Sequence, residues 1–427
     1  MIKHINDRDP VPNRALKDNQ KGIAAIFIIL ALTLIGIGSV IFLSHGTSKS
    51  NKSFLPSFDQ ATGCPKDLSG FFTKSFIDPD KILALRSLGY TTGRDHILPV
   101  DHTGFTLRVD SPDEKVPVYA PSQIMITQIA KHTDYTADGK PFTNMSNYMF
   151  DFTICPELTG WSEFVHDLSP QLQNIWDQAQ KQHDEGPLNQ GARAVNDSAR
   201  ITYTAKPGEL IGYTSAQPAF ALSIFDQRSK RKDVDFSYYI DRDRRAFAIC
   251  FTDLYNGDLI KILTDKYGYY EDRQGLTPGF TPRTTLPKCG QVIQNITGTV
   301  QGDWFANRPK QDENLESEGK TLSFIHNNYD PSIAVISIGG NITAKPETAS
   351  FKPTHEGTTN REFSETKIGN TYCYKNDSTL GGFIFAPSKN NDQILVQLLD
   401  DHHLKIEAQS GSCGENNVFS RAFTYER

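Results

Sequence analysis

Four stretches carry the fold: Val116–Ala120 (VPVYA), Ile124–Ile129 (IMITQI), Tyr148–Ile154 (YMFDFTI) and Ala219–Phe225 (AFALSIF). Each is short and dominated by β-branched, aromatic and other apolar residues, which is how half-buried or buried strands read. The last is apolar almost throughout, with Ser223 inside it. One helical insertion interrupts the pattern at Ser169–Gln182 (SPQLQNIWDQAQKQ), opened by a Ser cap and a Pro in the first turn. A second helix is expected within residues 252–272.

Outward from this block, residues 273–288 (RQGLTPGFTPRTTLPK) are rich in Gly, Pro and Thr and read as a linker. Short strand patterns return at Thr321–His326, Ala334–Ile338, Gly382–Phe385, Gln393–Leu399, Leu404–Gln409 and Ala422–Tyr425. Their spacing and their Gly, Asn and Asp turns predict a small antiparallel barrel or sandwich. Asp400-Asp401-His402-His403 reads as a hairpin loop between two of them, its adjacent histidines pointing to opposite faces.

Toward the N-terminus, Ile23–Leu43 (IAAIFIILALTLIGIGSVIFL) holds no charged residue. At ~1.5 Å per residue it just crosses a hydrocarbon core of ~30 Å. Lys3, Arg8, Arg14, Lys17 and Lys21 precede it, and only Lys49 and Lys52 follow closely. The positive-inside rule therefore predicts a cytoplasmic tail at 1–22, a single-pass membrane helix at 23–43 and the bulk of the chain outside. Residues 44–63 are Ser-rich and read as a flexible stalk. Lys21-Gly22 before Ile-Ala-Ala-Ile-Phe resembles the start of pilin-like proteins, which carry Glu where this chain has Phe27. That resemblance implies a surface subunit as a second alternative.

All six cysteines (Cys64, Cys155, Cys250, Cys289, Cys373, Cys413) lie beyond the apolar stretch, and none form a C-x-x-C pair. Disulfides in an oxidising compartment are expected rather than a zinc ribbon. Six cysteines permit fifteen pairings. Cys373 with Cys413 is the preferred one, because both lie in one C-terminal β segment. Glycosylation sequons occur at Asn51, Asn144, Asn196, Asn295, Asn341 and Asn376. The 427 residues carry 44 Lys+Arg against 50 Asp+Glu, a net charge of −6. That balance excludes a nucleic-acid binder working through a global positive field.

Three segments in order, Val116-Pro117-Val118-Tyr119-Ala120-Pro121, Phe164-Val165-His166-Asp167-Leu168-Ser169 and Lys206-Pro207-Gly208-Glu209-Leu210-Ile211-Gly212, resemble motifs of the lysostaphin-like zinc metallopeptidases. The resemblance spans about Asp95 to Asp226 and implies the duplicated hybrid motif, a β-sandwich. It also implies a metal set: an early His, an Asp four residues later and the second His of a late H-x-H, with a further strand His assisting water attack. Here His96 and Asp101 stand five apart, His102 offers a near-match, and His166 takes the place of the assisting histidine. The segment Ala219–Asp226, where H-x-H belongs, contains no His. Zinc hydrolysis needs about three protein ligands and an open water position. His96, Asp101, His102 and His166 are therefore vestigial candidates only, with Asp226 a conceivable oxygen donor.

Other patterns are plainer. No G-x-S-x-G, P-loop or G-x-G-x-x-G occurs. Gln301-Gly302-Asp303-Trp304-Phe305 reads as core packing before a binding platform, and Arg228–Lys232 as a solvated basic loop. The expectation is mainly β: a membrane helix, a degenerate metallopeptidase-like β domain at 64–285, and a disulfide-supported β domain at 289–427. Such a protein would bind or organise cell-envelope material or a protein partner without catalysis or cofactor. An active zinc metallohydrolase with an atypical ligand set is the first alternative.

Overall fold

Side-chain alternation builds the first half of the molecule around one large antiparallel sheet with a smaller sheet packed on it. The computed structural model describes residues 63–91, 96–111, 114–136, 139–141, 147–187, 193–216, 219–229, 231, 233–239, 244–271, 279–308, 320–340, 342–343, 347–377, 392–414 and 417–427. The expected membrane helix, tail and stalk, and the expected strand Gly382–Phe385, lie outside them. Among the described residues no helix is long and apolar enough to cross a membrane.

The strands of the first half are β1 Ile82–Leu85, β2 Thr103–Leu107, β3 Val116–Tyr119, β4 Ile124–Tyr135, β5 Asn147–Cys155, β6 Leu158–Val165, β7 Asp167–Leu168, β8 Gln182–Pro187, β9 Arg193–Ala205, β10 Leu210–Thr214, β11 Ala221–Asp226 and β12 Ala248–Ile249. The larger sheet runs β1-β2-β11-β6-β5-β4-β9-β8, with β12 added to β11. A smaller one runs β3-β10-β7. β5 shows why they pack: Tyr148, Phe150, Phe152 and Ile154 are buried, while Met149, Asp151 and Thr153 face away. The buried set meets Val116 and Val118 from β3, Leu168 from β7 and Ile211 from β10 in one core. Gly160 stands opposite Phe152 on the neighbouring strand, and a Cβ there would lie 2.1 Å from the Phe152 ring. The glycine leaves the ring room to lie across the strand.

Helix α1, Pro170–Gln178, follows β7. The Ser169 hydroxyl accepts from the Leu172 N–H at 3.4 Å, as the capping pattern predicts, and Leu172 and Trp176 are buried. The second expected helix is shorter than its sequence pattern. A 3-10 turn at Phe251–Leu254, helix α2 at Gly257–Thr264 and strand β13 at Gly268–Glu271 divide residues 252–272. β13 pairs with β14, Gly279–Pro282, so part of the expected linker is strand.

The second half is an eight-stranded sheet of β15 Gly302–Phe305, β16 Thr321–His326, β17 Ala334–Ile338, β18 Glu347–Phe351, β19 Thr371–Lys375, β20 Asp392–Leu398, β21 His403–Ser410 and β22 Phe423–Glu426. Its order is β18-β17-β16-β15-β22-β21-β20-β19. The two ends nearly meet. The Ser350 N–H of β18 donates to Asn376 Oδ1 at 2.9 Å, and the Asp377 N–H donates to Ser350 O at 2.7 Å. The result is barrel-like, filled by Trp304, Phe324, Phe351, Phe363 and Tyr374. Trp304 is fully buried, its indole N–H donating to Val300 O at 2.9 Å, so the Gln301–Phe305 segment is core.

The halves interlock. Asn328 Nδ2 donates to Ser87 O at 2.6 Å, and the Tyr239 hydroxyl donates to the buried Asp303 carboxylate at 2.9 Å. Three disulfides, Cys64–Cys155, Cys250–Cys289 and the expected Cys373–Cys413, tie the chain. The second joins the β11–β12 side of the large sheet to the start of the distal half. Three such links are what an oxidising, extracytoplasmic compartment sustains. The sequons at Asn295 and Asn376 have internal roles, since Asn295 Oδ1 accepts from the Asp303 N–H at 3.0 Å and Asn376 from Ser350.

Candidate functional site

On the large sheet, outward-facing residues of β4, β5, β6, β8 and β9 line one groove. Its volume is about 1220 Å³, and it is lined by Gln128, Asp151, Trp161, Asn196, Arg200 and Arg244 among others. Strand register explains the gathering. Trp161 of β6 pairs with Asp151 of β5, Asp151 with Gln128 of β4, and Gln128 with Arg200 of β9. At ~4.8 Å between strands, this row is about 14 Å long. A second row holds Met149, Ala130, Ser198 and Gln182, and a third Asn196 and Asp184. Arg244 enters from outside the sheet, stacks its guanidinium 4.6 Å from the Phe225 ring centroid, and donates to Asp151 at 2.6 Å.

Three of the four expected site residues meet at the end of the groove nearest Trp161. His96 and His102 lie edge to face with ring centroids 5.6 Å apart. His102 Nδ1 lies 3.5 Å from Asp101 Oδ1, and its Nε2 is 3.3 Å from the Tyr90 hydroxyl and 4.0 Å from Glu163 Oε1. Trp161 flanks His102 at 5.8 Å. Burial works against the Asp101 carboxylate, but His102, Arg245 and Arg244 outweigh it and hold its pKa below the ordinary value. Burial dominates at Glu163 and raises its pKa, with His102 and His96 only partly opposing. Behind this cluster the Arg86 guanidinium lies 4.8 Å from the Tyr90 ring centroid.

His166 is placed elsewhere. Phe164 adopts a left-handed φ of 61°, with its N–H donating to Asn147 Oδ1 at 2.7 Å and its carbonyl accepting from Thr214 Oγ1 at 2.8 Å. The chain bends there from β6 into β7, and the His166 N–H donates to Tyr213 O at 2.7 Å in the small sheet.

The donor set does not fit a zinc centre of the kind the resemblance implies. Ala221 pairs with Gly104 and Leu222 with Thr103, so the register continues Ser223 toward His102, with Trp161 as the partner of Ser223 on the other side. A serine thus stands on the strand where the resemblance would place the late H-x-H. Asp226 is committed too: Arg228 donates to its two oxygens at 2.9 Å each. Among the described residues no three His, Cys, Asp or Glu side chains are grouped to hold a metal ion. The same pairing corrects the reading of Arg228–Lys232 as a solvated loop, since Arg228 also reaches Pro65 O at 2.8 Å and Arg231 donates to Ile293 O at 3.0 Å.

The sequence pattern singled out the polar corner but missed Trp161, Glu163, Asp151, Gln128, Arg200 and Arg244. A signal was present in β5, where Asp151 alternates with Phe150 and Phe152. β6 and β9 mix Gly, Glu, Arg and Asn into the alternation and hide their faces. The chain matches no family model, no curated protein and no solved structure.

Proposed function

We propose that the protein is a membrane-anchored, extracytoplasmic binding protein that holds cell-envelope material in the groove of its large sheet, without cleaving it. The reading is supported by a long polar groove beside a corner whose side chains do not make up the three-ligand set that zinc hydrolysis needs. A groove with Trp161, two arginines, two aspartates and several amides offers hydrogen bonds and one aromatic surface. Asp101 and Glu163 lie beside His102, which also faces the Tyr90 hydroxyl, His96 packs edge to face on His102, and Ser223 offers no imidazole. The three disulfides suit the outer compartment, and the apolar stretch Ile23–Leu43 supplies the anchor.

The test is sedimentation with purified cell-wall sacculi. Full-length protein in detergent is expected to pellet with them, to release no soluble fragments with or without added zinc, and to pellet less as Arg244→Ala. Fragment release that a chelator abolishes would establish hydrolysis and refute the proposal. Absence from the pellet would refute the binding itself. For the anchor, the chain is expected to stay with membranes through alkaline carbonate washing, and its release would refute that part.

A further inference from the structure

The groove's chemistry narrows its ligand. Resting on the binding role proposed above, we propose that it takes carbohydrate, an uncharged oligosaccharide lying across β6, β5, β4 and β9. Four features support this class over its rivals. First, the fixed charges cancel: the lining holds Asp151 and Asp184 against Arg200 and Arg244, Asp151 already pairs with Arg244 at 2.6 Å, and His183 is offset by Asp197 at 2.8 Å. A polyanion or a polycation would meet no net field here. Second, the lining is dominated by amide, hydroxyl, carboxylate and guanidinium groups, which match the dense donors and acceptors of sugar hydroxyls. Third, its apolar side chains are Ala130, Met149 and Trp161 alone among the lining residues, too few to form the separate pockets that hold alternate side chains of an extended peptide.

Fourth, Trp161 is the tryptophan available to a ligand. Trp176 is 5% exposed and Trp304 fully buried, whereas Trp161 lines the groove and is only partly covered, with His102 beside it. An indole presents a broad flat surface with a polar edge, suited to the C–H face of a pyranose. The row Trp161, Asp151, Gln128, Arg200 then continues from that platform for about 14 Å as hydrogen-bonding groups, long enough for a short chain of sugars rather than one.

The experiment is titration of the full-length protein with chitohexaose, cellohexaose and maltohexaose, and separately with a synthetic cell-wall stem pentapeptide, following tryptophan fluorescence and heat. At least one hexasaccharide is expected to bind saturably and to change the fluorescence. Its affinity should change less than twofold between low and high salt. Trp161→Ala should weaken it at least tenfold, and Gln128→Ala, which leaves the core face untouched, at least threefold. Saccharide binding that neither variant weakens, or that salt abolishes, overturns the inference. Pentapeptide binding with no saccharide binding overturns the carbohydrate class and leaves the groove as a binding site. If neither ligand binds and sacculi still pellet the protein, the carbohydrate inference fails alone. If sacculi fail too, both fall.

Discussion

Replacing Glu407 by Gln should open a clasp that holds the end of the distal barrel. Glu407 is 5% exposed. It accepts from the Ser420 N–H at 2.8 Å, the Arg421 N–H at 2.9 Å, Gln409 Nε2 at 2.9 Å and the Ser420 hydroxyl. Burial alone would raise its pKa, but the Ser420, Gln409 and Arg421 donors overcome that and push it down to about 2. The gap from the ordinary ~4.3 of a free glutamate corresponds to about 3 kcal/mol of folding free energy. Because the folded value is depressed, this contribution is present in full above the unfolded pKa and is lost as pH falls through about 2. Glu407→Gln keeps one acceptor oxygen and turns an amide toward the remaining donors. The expected loss is about 2–3 kcal/mol at neutral pH, since hydrogen bonds to a charged group are worth ~1.5–3 kcal/mol each. Urea unfolding of wild type and variant with disulfides intact, at neutral pH and in steps down to strong acid, measures it. The difference should shrink steadily below about pH 4.5. A variant within ~0.5 kcal/mol of wild type at neutral pH, or a deficit unchanged in acid, would refute the reasoning.

Three further outcomes follow from the same structure. His326 donates to Glu362 at 2.9 Å and faces Pro331 O at 2.7 Å; burial opposes its charge, yet these partners raise its pKa. The pair's contribution should therefore be whole below about pH 6.5, where the unfolded histidine is charged, and fade as pH rises through the folded value. His326→Gln should cost roughly 1.5–3 kcal/mol at mildly acidic pH and less at alkaline pH in the same unfolding assay; the opposite trend would show that His326 is held neutral. Gly160→Val should destabilise by about 1–3 kcal/mol, read as a lower thermal midpoint, because a Cβ would strike the Phe152 ring at 2.1 Å. Removing Cys373–Cys413, with a sequence separation of 40, should cost about 4 kcal/mol by loop closure, visible as a lower urea midpoint of the double Ala variant.

The strand positions were legible because apolar runs bounded by turn residues need no long-range information. Ala334–Ile338 and Thr321–His326 lie where the pattern places them. The Ser169 cap and the Cys373–Cys413 bridge are likewise local in origin, one a side chain meeting its own helix and the other two ends of one β segment. That Ala219–Asp226 contains no histidine is visible as well, since an absent residue type needs no structure to reveal it. The split of residues 252–272 into 3-10 turn, helix and strand was not legible, because Tyr255 and Tyr267 are drawn into the large core and override the helical pattern.

The groove belongs to the tertiary structure alone. Trp161, Asp151, Gln128 and Arg200 come from four strands dispersed through the chain, and only hydrogen-bonded register puts them in one row. A shift of one residue would turn each of them into the core. The same holds for the corner: His102 meets Tyr90 and Glu163 because β2, β11 and β6 lie side by side, while the left-handed turn at Phe164 carries His166 into another sheet. Composition and periodicity determine which face of a strand seeks water. Which wet faces adjoin, and what they can jointly hold, is decided by pairing between segments far apart in the chain.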